Sequence, residues 1–344
     1  MGTQFKQGYA CIIGIGGDLP NTITDAEALA DVLKDPERCA YPPEQVQLLT
    51  AEAATCDKVT EALETLAKQA DENATAIVYF SGHGHQLSNS IVDTYYLLCH
   101  GYSTENLKRT ALSGSKFTAL LQQIPAKKLL VILDCCHAGG LSDLSDFEIT
   151  KSPLPPEAEK LFSKGKGRIL ICSSARDELS YGGNPYSAFT YALLKAMYGE
   201  GTAKKDGYVR VTDLAMYTRQ IVPTLTEDQQ HPVLEINQAD NFVLAYYAGG
   251  DPRPKGLPPE LARPPQIEST PGELSGNITQ TTASGAGSVA IGGSAQGATI
   301  ITGSHNTVGS YNINQQGKYN INIGSTRKDA TINIGDSKMG DQRE

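Results

Sequence analysis

Five short apolar runs, most of them followed by a stretch with helical periodicity, constrain this chain more than any other feature. The runs lie at residues 8–15, 45–50 (QVQLLT), 75–80 (TAIVYF), 128–134 (KLLVILD) and 167–175 (GRILICSSA). Each is four to eight or so residues of mostly Val, Ile, Leu, Tyr and Phe, the length and composition of a strand buried on both faces. Between and after them, residues 24–35, 56–70, 115–124, about 186–199 and 211–222 carry the spacing of amphipathic helices. Thr24 or Asn21 is a plausible cap for the first of these. Residues 231–236 (HPVLEI) complete the series as a last strand. Such alternation predicts an α/β fold: a mainly parallel central sheet with helices on both faces. In such sheets reactive groups gather beyond the carboxyl ends of the strands.

Two of those strand ends carry chemistry. Residues 76–86 read AIVYFSGHGHQ, and residues 128–140 read KLLVILDCCHAGG. The first sets His83 on a glycine-flanked turn, where backbone N–H groups can approach a substrate closely. The second ends an apolar run in two cysteines followed by small residues. A cysteine nucleophile needs a base to make thiolate and donors for the developing oxyanion. His83 precedes Cys136 by 53 residues (136 − 83), near the separation of roughly 50 seen between histidine and cysteine in caspases. Each motif alone is unspecific; in this order, on consecutive strands, they are a strong pair. A lone histidine after a strand is otherwise an ordinary satisfied polar residue.

The chain resembles the caspase-like cysteine peptidases of prokaryotes, the metacaspase and orthocaspase group. YFSGHGHQ is similar to the histidine motif of that group. DCCHAGG is similar to its nucleophile motif, with Ala138 where Ser is common, and GGNPYSAFTYALLKAM (182–197) and QQHPVLEI (229–236) are similar to later segments. The resemblance covers about residues 8–248. It implies a caspase-like sandwich and a Cys-His dyad of His83 as base and Cys136 as nucleophile. The backbone N–H groups of Gly84 and Cys136 would form the oxyanion hole. Cys135, on the opposite face of an extended strand end, is expected to be buried; His85 is a neighbour and His137 structural. Asp25, Ser81 and Asp134 would line an S1 pocket, and two carboxylates there suit Arg or Lys through charge-assisted hydrogen bonds. Locally, Asp25 also reads as a first-turn helix residue, and Asp134 as a strand-end turn residue. Asp177 and Glu178 add acidity to the cleft or form a solvated loop.

The same resemblance makes the polar segment 141–166 a maturation loop. Lys151, Lys160, Lys164, Lys166 and Arg168 are then candidate points of self-cleavage, and an uncut loop is the alternative. Calcium activates many relatives, and Asp143 is a plausible ligand. His100 stands where the group usually has Asp, so no calcium site and no other cofactor or metal is expected. The enzyme reading is an endopeptidase acting on proteins after Arg or Lys, in stress, cell death or defence. The alternative is a catalytically silent caspase-like scaffold acting through its C-terminal repeats.

Composition bounds the rest. A net charge of −9 disfavours wholesale nucleic-acid binding. No run of 18 apolar residues suggests a membrane span, the start has no convincing leader, and Lys6 argues against acylation at Gly2, so a cytoplasmic location is expected. Seven cysteines at spacings that match no zinc pattern fit a reducing compartment. The expected domains are a peptidase domain over 1–248, a Pro-rich extended linker over 249–272, and a Gly/Asn/Ile-rich region over 273–344. That last region repeats loosely (SVAIGG, ATIITG, YNINIG, ATINIG). It predicts a small β-repeat module for self-association or partner docking, with a disordered low-complexity tail as the alternative.

Overall fold

The computed structural model describes residues 3–88, 93–137, 167–175, 178–237 and 240–268. It also describes the backbone of four short strands between 289 and 314. The side chains of 86–94, 136–137 and 236–237 lie outside that description. The chain divides into two units, 1–273 and 274–344.

The first unit is built on one sheet. Among the described residues its strand order is β10 (Val233–Asn237), β7 (Arg168–Cys172), β6 (Lys128–His137), β3 (Thr75–Ser88), β1 (Gly8–Gly14), β2 (Val46–Thr50). All neighbours are parallel except β10, which runs antiparallel to β7. The parallel order carries β1, β3, β6 and β7 side by side, so the loops after their carboxyl ends converge on one edge.

The alternation along each strand sorts two cores. Ile12, Ile77, Tyr79, Leu130, Ile132 and Ile171 pack with α1 (Asn21–Lys34), α5 (Ala188–Met197) and α6 (Val211–Leu225). Ile13, Val78, Phe80, Val131, Leu133 and Cys172 pack with α2 (Cys56–Gln69) and α4 (Gly114–Gln123) on the other face. Burial on both faces is why these strands read as unbroken apolar runs rather than as alternating ones.

β3 and β6 run further than their apolar cores suggest. Past Phe80, β3 continues to Ser88, and its extension pairs with β4 (Asp93–Leu98), which pairs with β5 (Ala111–Ser113). Past Leu133, β6 continues beside it to His137. The histidine motif therefore lies within a strand, not on a glycine turn. Gly84 has a packing reason to be glycine: a Cβ there would sit 2.0 Å from Tyr95 Oη.

The Pro-rich stretch is extended, yet it is tied to the first unit as far as Glu268. Tyr247 Oη donates to Pro252 O, Arg38 to Gly256 O, and Tyr191 Oη to Leu261 O. Leu261 enters the α1/α5 core, and β12 (Gln266–Ile267) pairs antiparallel with β8 (Gly183–Asn184). In the second unit, β13 (Val289–Gly292) pairs antiparallel with β14 (Thr299–Thr302), and β15 (Thr307–Gly309) with β16 (Asn312–Asn314).

Candidate active site

Position 83 on β3 and position 136 on β6 are lateral partners in the parallel ladder, flanked by the pairs Ser81↔Asp134 and Gly84↔His137. Adjacent parallel strands lie less than about 5 Å apart, so the two residue types needed for thiol activation meet on neighbouring backbones. Position 136 shares the strand parity of Ile132 and Asp134. Cys135 has the other parity; it is half-buried rather than fully buried as expected, and packs against the α2/α4 core. Burial pushes the Cys135 thiol up to about 12, which makes it a poor nucleophile.

His83 is buried, at 4% exposure. Its Nε2 lies 2.8 Å from Asp18 Oδ2. Hydrogen bonding to His83 is the largest influence on the Asp18 carboxyl and holds it below its usual range, against partial desolvation. An ionised carboxylate only accepts, so Nε2 carries the hydrogen in neutral His83, and Nδ1 carries the lone pair. Nδ1 is buried without a hydrogen-bond partner among the described residues. Asp18 is presented by a tight loop after β1. Gly16 and Gly17 both take positive φ (67° and 71°), Leu19 N donates to Gly16 O, and Thr22 Oγ1 caps Gly16 N. The sequence reading missed Asp18; the signal was a Gly-Gly-Asp turn directly after the strand that neighbours β3.

Asp25, Ser81 and Asp134 come together beneath this edge, each at 1% exposure. Asp25 is the fifth residue of α1, which starts at Asn21, so it is not a first-turn residue of its own helix. It faces the start of α5 instead. Ser187, the α5 N-cap, donates its N–H to Asp25 Oδ1 at 3.1 Å and its hydroxyl to Asp134 Oδ2 at 3.1 Å. Ser187 Oγ also accepts from Thr190 N at 3.0 Å. Ser180 Oγ donates to Asp134 Oδ1 at 2.8 Å. Serine hydroxyls and a helix N-terminus satisfy the two carboxylates. They do not neutralise them. Burial, and then the charge of Asp134, raises the Asp25 carboxyl well above its usual value. Burial raises Asp134, opposed by its serine donors.

Ser180 is itself held by fully buried Gln230, which donates to Ser173 O at 2.8 Å and to Ser180 Oγ at 3.2 Å, and accepts from Tyr181 N. Next to it, His231 Nδ1 meets Glu178 Oε1 at 2.6 Å and His231 Nε2 meets Asp228 at 3.0 Å. Glu178 is thus committed to this clasp rather than to a cleft. His85 is fully buried and lies on β3 opposite Tyr96. His100 is turned to Ile15 O, 3.0 Å from its Nδ1. Among the described residues no cluster of three His, Cys, Asp or Glu could hold a metal. Asp143, Lys151, Lys160, Lys164, Lys166 and Asp177 lie outside the described residues. Arg168 does not sit in a loop. It opens β7, paired with Leu129 and Asn237, and its guanidinium donates to Leu121 O and Ile124 O. Cleavage after it would require the strand to leave the sheet, so it is withdrawn from the candidate processing points.

The family model described as "Caspase domain" matches residues 7–243. The chain belongs to the caspase family. Its caspase domain is a mixed α/β sandwich with a mostly parallel sheet, and the family's chemistry is that of cysteine peptidases, which act on proteins. A curated relative named as a probable protease, from a Desulfuromonadales bacterium, is 25% identical over 219 residues. That match takes in 58% of this chain but spans only 27% of the relative. Among solved structures, protein GSU0716 from Geobacter sulfurreducens is similar at 19% identity, over 68% of this chain and 94% of that one, with a TM-score of 0.47. Among the described residues no helix is long and apolar enough to cross a membrane.

Proposed function

We propose that the caspase domain is an active cysteine endopeptidase that cleaves after Arg or Lys. The observation that carries this reading is the lateral pairing of His83 with Cys136 directly above a buried pair of carboxylates. His83 Nδ1 takes the proton of the Cys136 thiol, and the thiolate attacks the scissile carbonyl. Backbone N–H groups of Gly84 and Cys136 receive the oxyanion. The protonated imidazole returns its hydrogen to the departing amine, leaving an acyl-enzyme. His83 then deprotonates a water, which releases the acid and regenerates the thiol. Asp18 steadies the imidazolium at each stage.

Asp25, Ser81 and Asp134 serve as the floor of the S1 pocket. A buried acid pair with no cation beside it among the described residues is complementary to a guanidinium or ammonium, which supplies the missing charge. Aspartate at P1 would add a third carboxylate and is rejected by the same electrostatics.

Self-processing at Lys151, Lys160, Lys164 or Lys166 follows if the same specificity meets the 141–166 segment. A cytoplasmic role in stress, cell death or defence, with residues 273–344 serving self-association or partner docking, completes the proposal. The test is turnover of fluorogenic Arg-, Lys- and Asp-terminated peptides, with and without calcium, with Cys136→Ala as control. Arg or Lys turnover lost in Cys136→Ala supports the reading. Asp turnover alone overturns the specificity, and no turnover of any peptide favours a silent scaffold.

A further inference from the structure

The lip of the proposed S1 pocket is the segment from Ser180 to Ser187, because both of those serines donate to Asp134. Between them lies β8, Gly183–Asn184, a two-residue strand outside the central sheet. An extended backbone beside a pocket is a template for a peptide strand. In this protein the template is already occupied. Gln266 pairs with Asn184 and Ile267 with Gly183, and Glu268 N donates to Gly182 O at 3.1 Å. The Glu268 side chain lies over Gly182, where an added Cβ would sit 2.7 Å from Oε2. Asn21, at the start of the helix that carries Asp25, donates to both Glu268 Oε1 (3.0 Å) and Gly183 O (3.1 Å).

The direction matters. Running from Gln266 to Glu268, the segment moves from Asn184 to Gly182, that is, toward Ser180 and the Asp134 carboxylate. It approaches the pocket lip as an extended peptide, not as a crossing loop. It is held there from upstream by buried Leu261, whose carbonyl accepts from Tyr191 Oη. It also lies outside the residues matched by the caspase-domain model, 7–243.

We propose that residues 266–268 are a cis-acting occupant of the peptide-binding edge of β8, so that this segment and an extended peptide substrate exclude one another. The inference rests on the peptidase reading above. The closed form withholds the edge, and the apparent affinity for substrate falls by the fraction of molecules in which the edge is open. Release of the strap, by a partner or by strain from the region that follows it, would admit substrate without any change at His83 or Cys136.

The experiment uses the full chain. Glu268→Pro removes the N–H that bonds Gly182 O together with the carboxylate that Asn21 holds. Glu268→Gln keeps the N–H and an oxygen acceptor. With an Arg-terminated fluorogenic peptide, Glu268→Pro is expected to lower KM by at least about threefold with kcat within twofold, as loss of a competitor requires, and Glu268→Gln to stay near wild type. Amide hydrogen exchange gives the second readout. A tripeptide aldehyde ending in argininal should speed exchange at Gln266 and Glu268, the ladder-bonded positions of the strap, as it displaces them.

A KM unchanged or raised in Glu268→Pro, or protection of Gln266 and Glu268 that increases with the aldehyde, overturns the proposal while leaving the peptidase reading in place. The latter result would make the strap a wall of the site. An inactive wild type with an active Glu268→Pro supports both. Wild type and Glu268→Pro both inactive on Arg, Lys and Asp peptides, with no aldehyde-dependent exchange, overturns both.

Discussion

Substitution of Asp18 separates a dyad that works alone from one that depends on a third residue. The bond from His83 Nε2 to Asp18 Oδ2 is 2.8 Å. When Nδ1 takes the thiol proton, the imidazolium gains a full charge beside a carboxylate. Coulomb's law at this distance gives about 1.5 kcal/mol in water and about 6 kcal/mol at an effective dielectric of about 20. The Asp18 side chain is 38% exposed, so solvent screening pulls the value toward the lower figure. A range of about 1.5–3 kcal/mol matches charge-assisted hydrogen bonds measured elsewhere and corresponds to about 10- to 150-fold in rate.

Asp18→Ala should therefore lower kcat by about 10- to 150-fold, with KM nearly unchanged, because Asp18 is about the base and not the substrate pocket. Asp18→Asn retains an acceptor of the same size and loses only the charge, so it should fall between Ala and wild type. The assay is steady-state cleavage of an Arg-terminated fluorogenic peptide near pH 7.5. Thermal unfolding and imidazole ¹⁵N shifts of His83 should be recorded on the same samples, the shifts to report whether Nε2 carries the hydrogen. Both variants within twofold of wild type, or Nδ1 found protonated in the wild type, would refute the reasoning.

Three further outcomes follow from the geometry. The raised Asp25 and Asp134 carboxyls take up protons in the folded state that the unfolded chain does not, so stability from this pair is present at low pH and lost as pH rises through the raised values. Tm should rise from about pH 8 to about pH 5, less steeply in Asp134→Asn, and agmatine should stabilise the wild type more at the higher pH; equal slopes in a fluorimetric melt would contradict this. Gly84→Ala places a methyl 2.0 Å from Tyr95 Oη and should cost about 1–3 kcal/mol of stability, with partial recovery in Gly84→Ala/Tyr95→Phe, measured by urea unfolding. Glu178 and Asp228 raise His231, so the clasp between the loops at 178 and 231 is present below the usual histidine value and lost as pH rises through the raised one. Hydrogen exchange of residues 178–181 should quicken above that point in wild type, and at all pH values in His231→Ala.

What could be read from the sequence follows the range of the interactions involved. Runs buried on two faces announce themselves by composition alone, and five of them carried the sheet. The pairing of His83 with Cys136 was legible because parallel order sends consecutive strand ends to one edge. Asp25 was legible only through resemblance: its local reading, a first-turn residue of α1, is replaced in the structure by the N-terminus of α5, a helix 160 or so residues away by the numbering of Asp25 and Ser187. The extensions of β3 and β6 past Phe80 and Asp134 were missed because SGHG and CCH lose the apolar signature while keeping the backbone ladder. Ladder hydrogen bonds do not depend on side chains, so a strand can outlast its composition.

The Pro-rich stretch makes the same point in reverse. Its composition disfavours helix and sheet interior, and it forms almost none of either, so the reading of an extended segment followed from local chemistry. Attachment did not. One leucine at 261, the hydroxyls of Tyr191 and Tyr247, the Arg38 guanidinium and two pairs of strand residues fasten it. None of these contacts leaves a periodic trace. Burying Leu261 removes its side chain from water, a gain of about 1.5–3 kcal/mol, enough to bias an extended chain toward one path without making that path permanent. A segment held by a margin of that size is suited to compete with a peptide that brings its own strand and its own cation. That is why the edge of β8, and not the dyad, is where control of this domain is expected to act.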